Sequence, residues 1–269
     1  MWIGSPLRGA FRLLSYLSVT LVLVPIYLLV MALRIRPVIR WMPVVYHRFV
    51  CVILGIKVRV HGQRSDVTPT LYVCNHVSYL DIVVLGGLVP GSFVAKAEVA
   101  TWPFFSTLAK AQRTIFIERS SSKTSRSRDE MMKRLNTGDN LMLFPEGTSS
   151  DGTRVLPFRS ALFGVAQLRR DERPITVQSV AIAYTRLDGI PLGRYWRPLF
   201  AWFGDLDLVP HLWQMVCLGE TEAIVTFFPP VDIDQLGDRK KLAQFCFSQV
   251  SLGVQAANSG RYELLPRLA

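Results

Sequence analysis

Acidic charge is the first thing this chain is short of. Twenty Asp and Glu stand against 31 Lys and Arg, giving a net charge of +11, and only 19% of the 269 residues are charged at all. A chain both apolar and basic points to a nucleic acid or an anionic membrane surface as partner. Zinc-finger, helix-turn-helix and RNA-binding aromatic signatures are missing, and several basic residues sit beside apolar segments, so no nucleic-acid partner is expected. Cysteine is scarce as well. Cys51, Cys74, Cys217 and Cys246 form no CxxC pair and no metal spacing with the four histidines. Three of them lie in apolar surroundings and read as buried, reduced thiols, as in a cytosol-facing protein. The absence of a GxSxG motif removes the usual serine hydrolase from consideration.

Apolar residues, by contrast, make up 50% of the chain. From Leu13 to Leu33 a run of 21 residues, LLSYLSVTLVLVPIYLLVMAL, carries no charge. As a helix it is about 30 Å long, enough to cross a bilayer core, whereas a buried core helix is the competing reading. It has neither the short apolar core nor the cleavage site of a signal peptide. Arg8 and Arg12 flank it on one side, Arg34, Arg36 and Arg40 on the other, so the charge rule for orientation barely discriminates. Pro25 is placed to bend it. A second stretch, WMPVVYHRFVCVILGI (41–56), is interrupted by His47 and Arg48 and reads as an interfacial or hairpin helix. Residues 1–56 are therefore expected to form a membrane anchor and residues 57–269 the domain it carries.

After Gly55 the pattern changes to short strands: KVRVHG (57–62), TLYVCN (70–75), SFVAKAE (92–98), RTIFIER (113–119), NLMLFPEG (140–147), TVQSVAIAY (176–184) and EAIVTFF (222–228). Helical stretches lie between several of them: DIVVLGGL, TWPFFSTLAKAQ, SKTSRSRDEMMKRLNTG and SALFGVAQLRR (160–170). Strands alternating with helices predict an α/β fold, a mixed sheet flanked by helices, with ligands at the strand ends. SSSKTSRSR (120–128) reads as a solvated loop and helix start.

Three polar clusters fall at strand ends. In NHVSYLD (75–81), His76 follows the strand LYVC and Asp81 lies just inside the next helix. An offset of five residues through a turn lets a carboxylate reach an imidazole nitrogen, fix its tautomer and stabilise imidazolium. The other nitrogen is then left to take a proton from a hydroxyl, with the nucleophile supplied by the substrate. The plainer alternative is a helix cap by Asn75 or Ser78 beside an incidental histidine. In FPEGTSSDG (144–152), Pro145 and Gly147 force a turn, Gly147 and Thr148 are expected to leave backbone N–H groups free, and Glu146 offers an acceptor to a polyol or basic neighbour. In FIER (116–119), Arg119 carries a guanidinium suited to bidentate phosphate binding. Cys74, beside the first cluster, packs at the end of an apolar strand and is not expected to carry an acyl group.

NHVSYLD, FIER and FPEGT, in that order, resemble the first three motifs of the glycerolipid acyltransferase superfamily, over Val58 to Tyr184. The resemblance implies an O-acyltransferase in which His76 deprotonates a lysolipid hydroxyl that attacks an acyl thioester, while Asp81 holds His76. It implies that Arg119 binds the acceptor's phosphate, that Glu146 and Gly147 shape the acceptor site with Thr148, and that Lys96 and Arg159 add basic contacts. No cofactor or metal is implied; acyl-CoA or acyl-ACP is the co-substrate. The setting it suggests is the bacterial inner membrane, with the catalytic domain on the cytoplasmic side. The expected acceptor is 1-acyl-sn-glycerol-3-phosphate, giving phosphatidic acid.

Departures from the family pattern open a second acceptor. Ser149 stands where an arginine usually follows FPEGT, Ser160 and Ala161 replace a basic residue and a glycine after Arg159, and Ser179 stands where a proline is usual. A lost guanidinium beside a phosphate removes a contact worth about 1.5 to 3 kcal/mol. FAWFGDLDLVPHLWQ (200–214) resembles a segment of members that acylate lyso-ornithine lipid, whose head group is a zwitterionic amino acid; a membrane-facing aromatic loop is its other reading. A membrane lipid-binding protein without catalysis is the remaining alternative, and the intact His76–Asp81 pair speaks against it.

Overall fold

The computed structural model describes residues 3–96, 100, 105–117, 124–170, 172–262 and 265. Two long helices come first. Helix α1 (Pro6–Ala32) begins where the Ser5 hydroxyl accepts the Arg8 N–H, with Pro6 at the position where a missing donor costs nothing. It continues through Pro25. Helix α2 (Arg36–Leu54) ends on Gly55 in the left-handed conformation, and the two pack on each other as a hairpin.

This hairpin is turned inside out relative to a soluble pair. Leu7, Phe11, Leu14, Leu21, Leu29, Phe49 and Val52 are exposed. The polar residues that interrupt the second apolar run instead face the protein. His47 lies so close to helix α3 (Leu80–Gly86) that a Cβ on Gly86 would come within 2.5 Å of its ring, and Arg48 Nε donates to the Gly87 carbonyl at 2.8 Å. Arg12 ties α1 down by donating to the Leu218 carbonyl at 2.7 Å.

Seven strands carry the main sheet: β1 (Ile56–His61), β2 (Thr70–Cys74), β3 (Ser92–Lys96), β4 (Ile115–Ile117), β5 (Leu141–Leu143), β8 (Thr176–Leu187) and β10 (Thr221–Phe227). They run in the order β1-β10-β8-β2-β5-β3-β4. Pairs are parallel except β10 with β8, so the sheet is mixed. The short β9 (Ile190–Pro191) pairs with β8, and β6 (Arg169–Arg170) with β7 (Arg173–Pro174) forms a separate hairpin. Central β2 is buried along its whole length. Its alternate residues feed two layers. Tyr72 and Cys74 join Val84 and Leu85 of α3 on the hairpin side, whereas Leu71 and Val73 join Phe163, Leu242 and Cys246 on the other.

The remaining helices are α4 (Phe105–Ala111), α5 (Thr124–Asn136), α6 (Leu208–Cys217), α7 (Ile233–Leu236) and α8 (Arg239–Ser259). Three expectations change. SALFGVAQ (160–167) winds as a 3-10 helix rather than an α-helix, and the following Arg169 and Arg170 form β6. The segment has eight residues with a glycine inside and no side-chain cap at Arg159, so Phe163 is buried without a full α-turn being nucleated. The strand at TLYVCN stops at Cys74, because the Asn75 side chain leaves the ladder. The stretch 200–214 is not simply a loop: its second half starts α6, with Pro210 tolerated in the first turn.

Candidate active site

His76 lies just past the buried end of β2. Asn75 extends the ladder with its side chain, accepting the Ile182 N–H and donating to the Ile182 carbonyl, both at 2.9 Å. This amide-to-backbone pair fixes where the chain turns out of the sheet.

Asp81, in the first turn of α3 and fully buried, then gathers the turn around itself. Its Oδ2 accepts the N–H of Val77 at 2.7 Å and of Ser78 at 3.0 Å, and lies 2.8 Å from His76 Nδ1. Its Oδ1 accepts the Tyr184 hydroxyl at 2.9 Å. Four donors converge on one carboxylate, which satisfies a buried charge. The expected offset of five residues does bring the carboxylate onto the imidazole. A carboxylate can only accept, so it assigns the proton to Nδ1 and leaves the Nε2 lone pair available. The ring, 22% exposed, stacks on Phe144 with centroids 4.3 Å apart.

The 144–156 segment braces this turn from the neighbouring strand. Glu146 is buried, and its Oε1 accepts the His76 N–H at 2.7 Å while Oε2 accepts the Leu156 N–H at 2.9 Å. The Ser150 N–H closes the junction by donating to the His76 carbonyl at 2.8 Å. Burial pushes the Glu146 carboxyl up to about 8; the two backbone donors pull the other way and the nearby Asp81 adds to the rise. Gly147 has φ 70, and a Cβ there would sit 2.9 Å from the Arg159 guanidinium carbon. Arg159 is thus brought onto the loop, its own N–H donating to Pro145. The expected free N–H at Gly147 is instead taken by the Phe144 carbonyl at 3.2 Å, closing the tight turn. The Thr148 N–H has no partner among the described residues.

The two remaining basic candidates are only partly placed. Lys96 closes β3, with Ile117 of β4 as its backbone partner. Arg119 lies outside the described residues, as do most of residues 120–128. Among the described residues, no group of three His, Cys, Asp or Glu is arranged to hold a metal. Cys74 is fully buried, and its thiol is pushed well up by burial and by the nearby Asp81 and Glu146, so it stays protonated.

Residues that sequence reasoning missed complete the arrangement. Tyr184 serves Asp81 from the end of an otherwise apolar stretch, a hydroxyl at a buried strand end being its one sequence signal. The 200–214 segment clamps both loops. Ser149 Oγ donates to the Trp202 carbonyl, the Trp202 N–H donates to the Val77 carbonyl at 2.9 Å, and the Tyr79 hydroxyl meets His211 Nδ1 at 3.0 Å.

An acyltransferase family model matches residues 57–183. A lyso-ornithine lipid O-acyltransferase of Rhizobium meliloti (strain 1021) is 40% identical over 247 residues, covering 90% of this chain and 83% of that protein. The chain belongs to the acyltransferase family. A second lyso-ornithine lipid O-acyltransferase, from Brucella abortus (strain 2308), is 44% identical over 226 residues, covering 82% of this acyltransferase and 85% of that one. The crystal structure of the 1-acyl-sn-glycerophosphate acyltransferase PlsC from Thermotoga maritima shares the fold. Its TM-score is 0.65 at 20% identity, over 93% of this chain and 95% of that one.

Proposed function

We propose that this acyltransferase moves a fatty acyl group from acyl-ACP or acyl-CoA to the free hydroxyl of a lyso-ornithine lipid. His76 Nε2 takes the hydroxyl proton as the oxygen attacks the thioester carbonyl carbon. The tetrahedral intermediate then collapses, the C–S bond breaks, and His76 returns the proton to the leaving thiolate. Asp81 holds the imidazole and stabilises its charged form. Glu146 positions the His76 backbone and shapes the acceptor side with Gly147. The Thr148 N–H is offered to the oxyanion. Lys96, Arg119 and Arg159 supply cationic contacts to the acceptor. Protonation of His76 removes the base, so transfer falls on the acid side.

The observation that carries the choice of acceptor is the Ser149 bond to Trp202. At the position where the family usually has an arginine, a serine binds the 200–214 segment over the two motif loops. The names of the two curated relatives favour the same acceptor. The second reading is 1-acylglycerol 3-phosphate, and the Arg159 guanidinium against Gly147 is what favours it.

Residues 1–56 are proposed as the anchor and 57–269 as the catalytic domain, in the bacterial inner membrane with the site facing the cytoplasm. The outward apolar surface of α1 and α2 supports the anchor. The test is acyl transfer by detergent-purified protein offered lyso-ornithine lipid and lysophosphatidic acid in parallel, with His76→Ala as blank. The ornithine acceptor should win, and the blank should lose about 10²- to 10⁴-fold in turnover. Preference for lysophosphatidic acid reverses the acceptor; near-normal turnover in the blank sinks the mechanism.

A further inference from the structure

A second cavity lies at the same end of the sheet as His76. It encloses about 390 Å³ between the turn after the 144–150 loop, the 3-10 turn Arg197–Leu199, and the last two turns of α8. Thr153, Arg154, Arg197, Ser251, Gln255 and Asn258 supply its polar lining. Its floor rests on the catalytic loop: a Cβ on Gly152 would lie 3.3 Å from Val77 Cγ1, in the residue next to His76.

The walls are tied to one another in a way that leaves particular atoms unsatisfied. Arg197 Nη2 donates to the Asn258 carbonyl at 2.8 Å, and Asn258 Nδ2 donates to the Gly152 carbonyl at 3.3 Å. Among the described residues, the buried atoms Arg197 Nε, Asn258 Oδ1 and Ser251 Oγ have no hydrogen-bond partner. The Gly152 carbonyl fixes the orientation of the Asn258 amide, because a flipped amide would set oxygen against oxygen. The unsatisfied set is therefore one cationic donor, one neutral acceptor and one hydroxyl. Buried polar atoms in native proteins nearly always have partners, so a set of three beside two guanidinium groups calls for a ligand.

The chemistry of the set selects the ligand. A phosphate dianion has acceptors only: it satisfies the guanidinium groups and leaves the Asn258 oxygen unpaired. A zwitterion satisfies both ends. Its carboxylate meets Arg197 and Arg154, and its ammonium donates to Asn258 Oδ1 and Ser251 Oγ. We propose that the Arg154–Arg197–Ser251–Asn258 cavity holds the zwitterionic amino-acid head group of the acceptor lipid while its hydroxyl lies at His76. This rests on the reading that the acceptor is a lyso-ornithine lipid, and it locates the head-group specificity outside the usual motif positions.

The test measures KM and kcat for lyso-ornithine lipid, for its side-chain N-acetylated analogue and for lysophosphatidic acid, in native protein, Ser251→Leu and Arg154→Met. Ser251→Leu fills the cavity from a helix position; Arg154→Met removes an exposed cation with its chain length kept. Each should raise KM for lyso-ornithine lipid about tenfold or more while kcat stays within about twofold and KM for the acyl donor is unmoved. Native protein should bind the acetylated analogue about tenfold more weakly, and Ser251→Leu should add no further loss for that analogue. An unchanged KM in both variants overturns the cavity assignment while native transfer to lyso-ornithine lipid upholds the acceptor. A rise in donor KM instead also overturns it. Native protein that acylates lysophosphatidic acid and ignores the ornithine lipid overturns the acceptor reading, and the zwitterion assignment falls with it.

Discussion

Two buried carboxylates sit within one residue-thickness of His76 and are held differently. Asp81 serves its own turn: it accepts two N–H groups from the residues just before it, the imidazole Nδ1–H, and the Tyr184 hydroxyl. Glu146 works between segments, joining the His76 N–H to the Leu156 N–H with one oxygen each. Four donors against two is a large difference for groups equally removed from water. With two, burial still wins and the Glu146 carboxyl is pushed up to about 8. The comparison teaches that burial depth does not assign a carboxylate's role. The donor count and the identity of the partner do: Asp81 faces the group that gains charge during transfer, whereas Glu146 faces only backbone.

The same isosteric change at both positions sharpens this. Asp81→Asn keeps an oxygen for the Val77 and Ser78 N–H groups but withdraws the charge that stabilises imidazolium. It should lower kcat on the order of 10²-fold or more with KM little moved. A kcat within a few-fold of native would place Asp81 with Glu146, as a structural acceptor. Next in size is Tyr184→Phe, which strips one donor from Asp81 and leaves that oxygen buried without a partner. A bond to a charged group contributes about 1.5 to 3 kcal/mol, so stability should fall by that order, and kcat by about tenfold, as the carboxylate loses its second anchor. A Tyr184→Phe protein with native kcat and native melting temperature would show that the other three donors suffice.

Much of this was legible in the chain and some was not, for identifiable reasons. The seven principal strands could be read because each is a short apolar run bounded by polar or turn residues. His76 and Asp81 could be paired because both lie in one turn, where local geometry is constrained. Tyr184 could not, since its partner comes from another strand and nothing local marks the hydroxyl. Helix α8 went unread because RKKLAQFCFSQVSLGVQAANS scatters its apolar positions among Ser, Gln and Gly, so its buried face emerges only against β8. The unsatisfied cavity was equally hidden: Arg154, Arg197 and Ser251 look like surface residues until three separate segments meet.

Glu146→Gln should have the smallest effect on turnover and a distinctive effect on stability. A glutamine resembles the protonated carboxyl in shape and hydrogen bonding, and it does not titrate. The folded protein holds the Glu146 proton more tightly than the unfolded chain does, up to about 8 against an ordinary 4.5. Its contribution to stability is therefore fully present below about 4.5 and is lost as pH rises toward and through 8. Between pH 5 and pH 9 the native melting temperature should fall relative to Glu146→Gln by at least about 5 °C, with the two proteins alike at the acid end. His76 and every other titrating group are common to both, so the difference isolates Glu146. Should native protein instead gain on the variant as pH rises, the two backbone donors outweigh burial, and Glu146 belongs with Asp81 as a carboxylate held in its charged form.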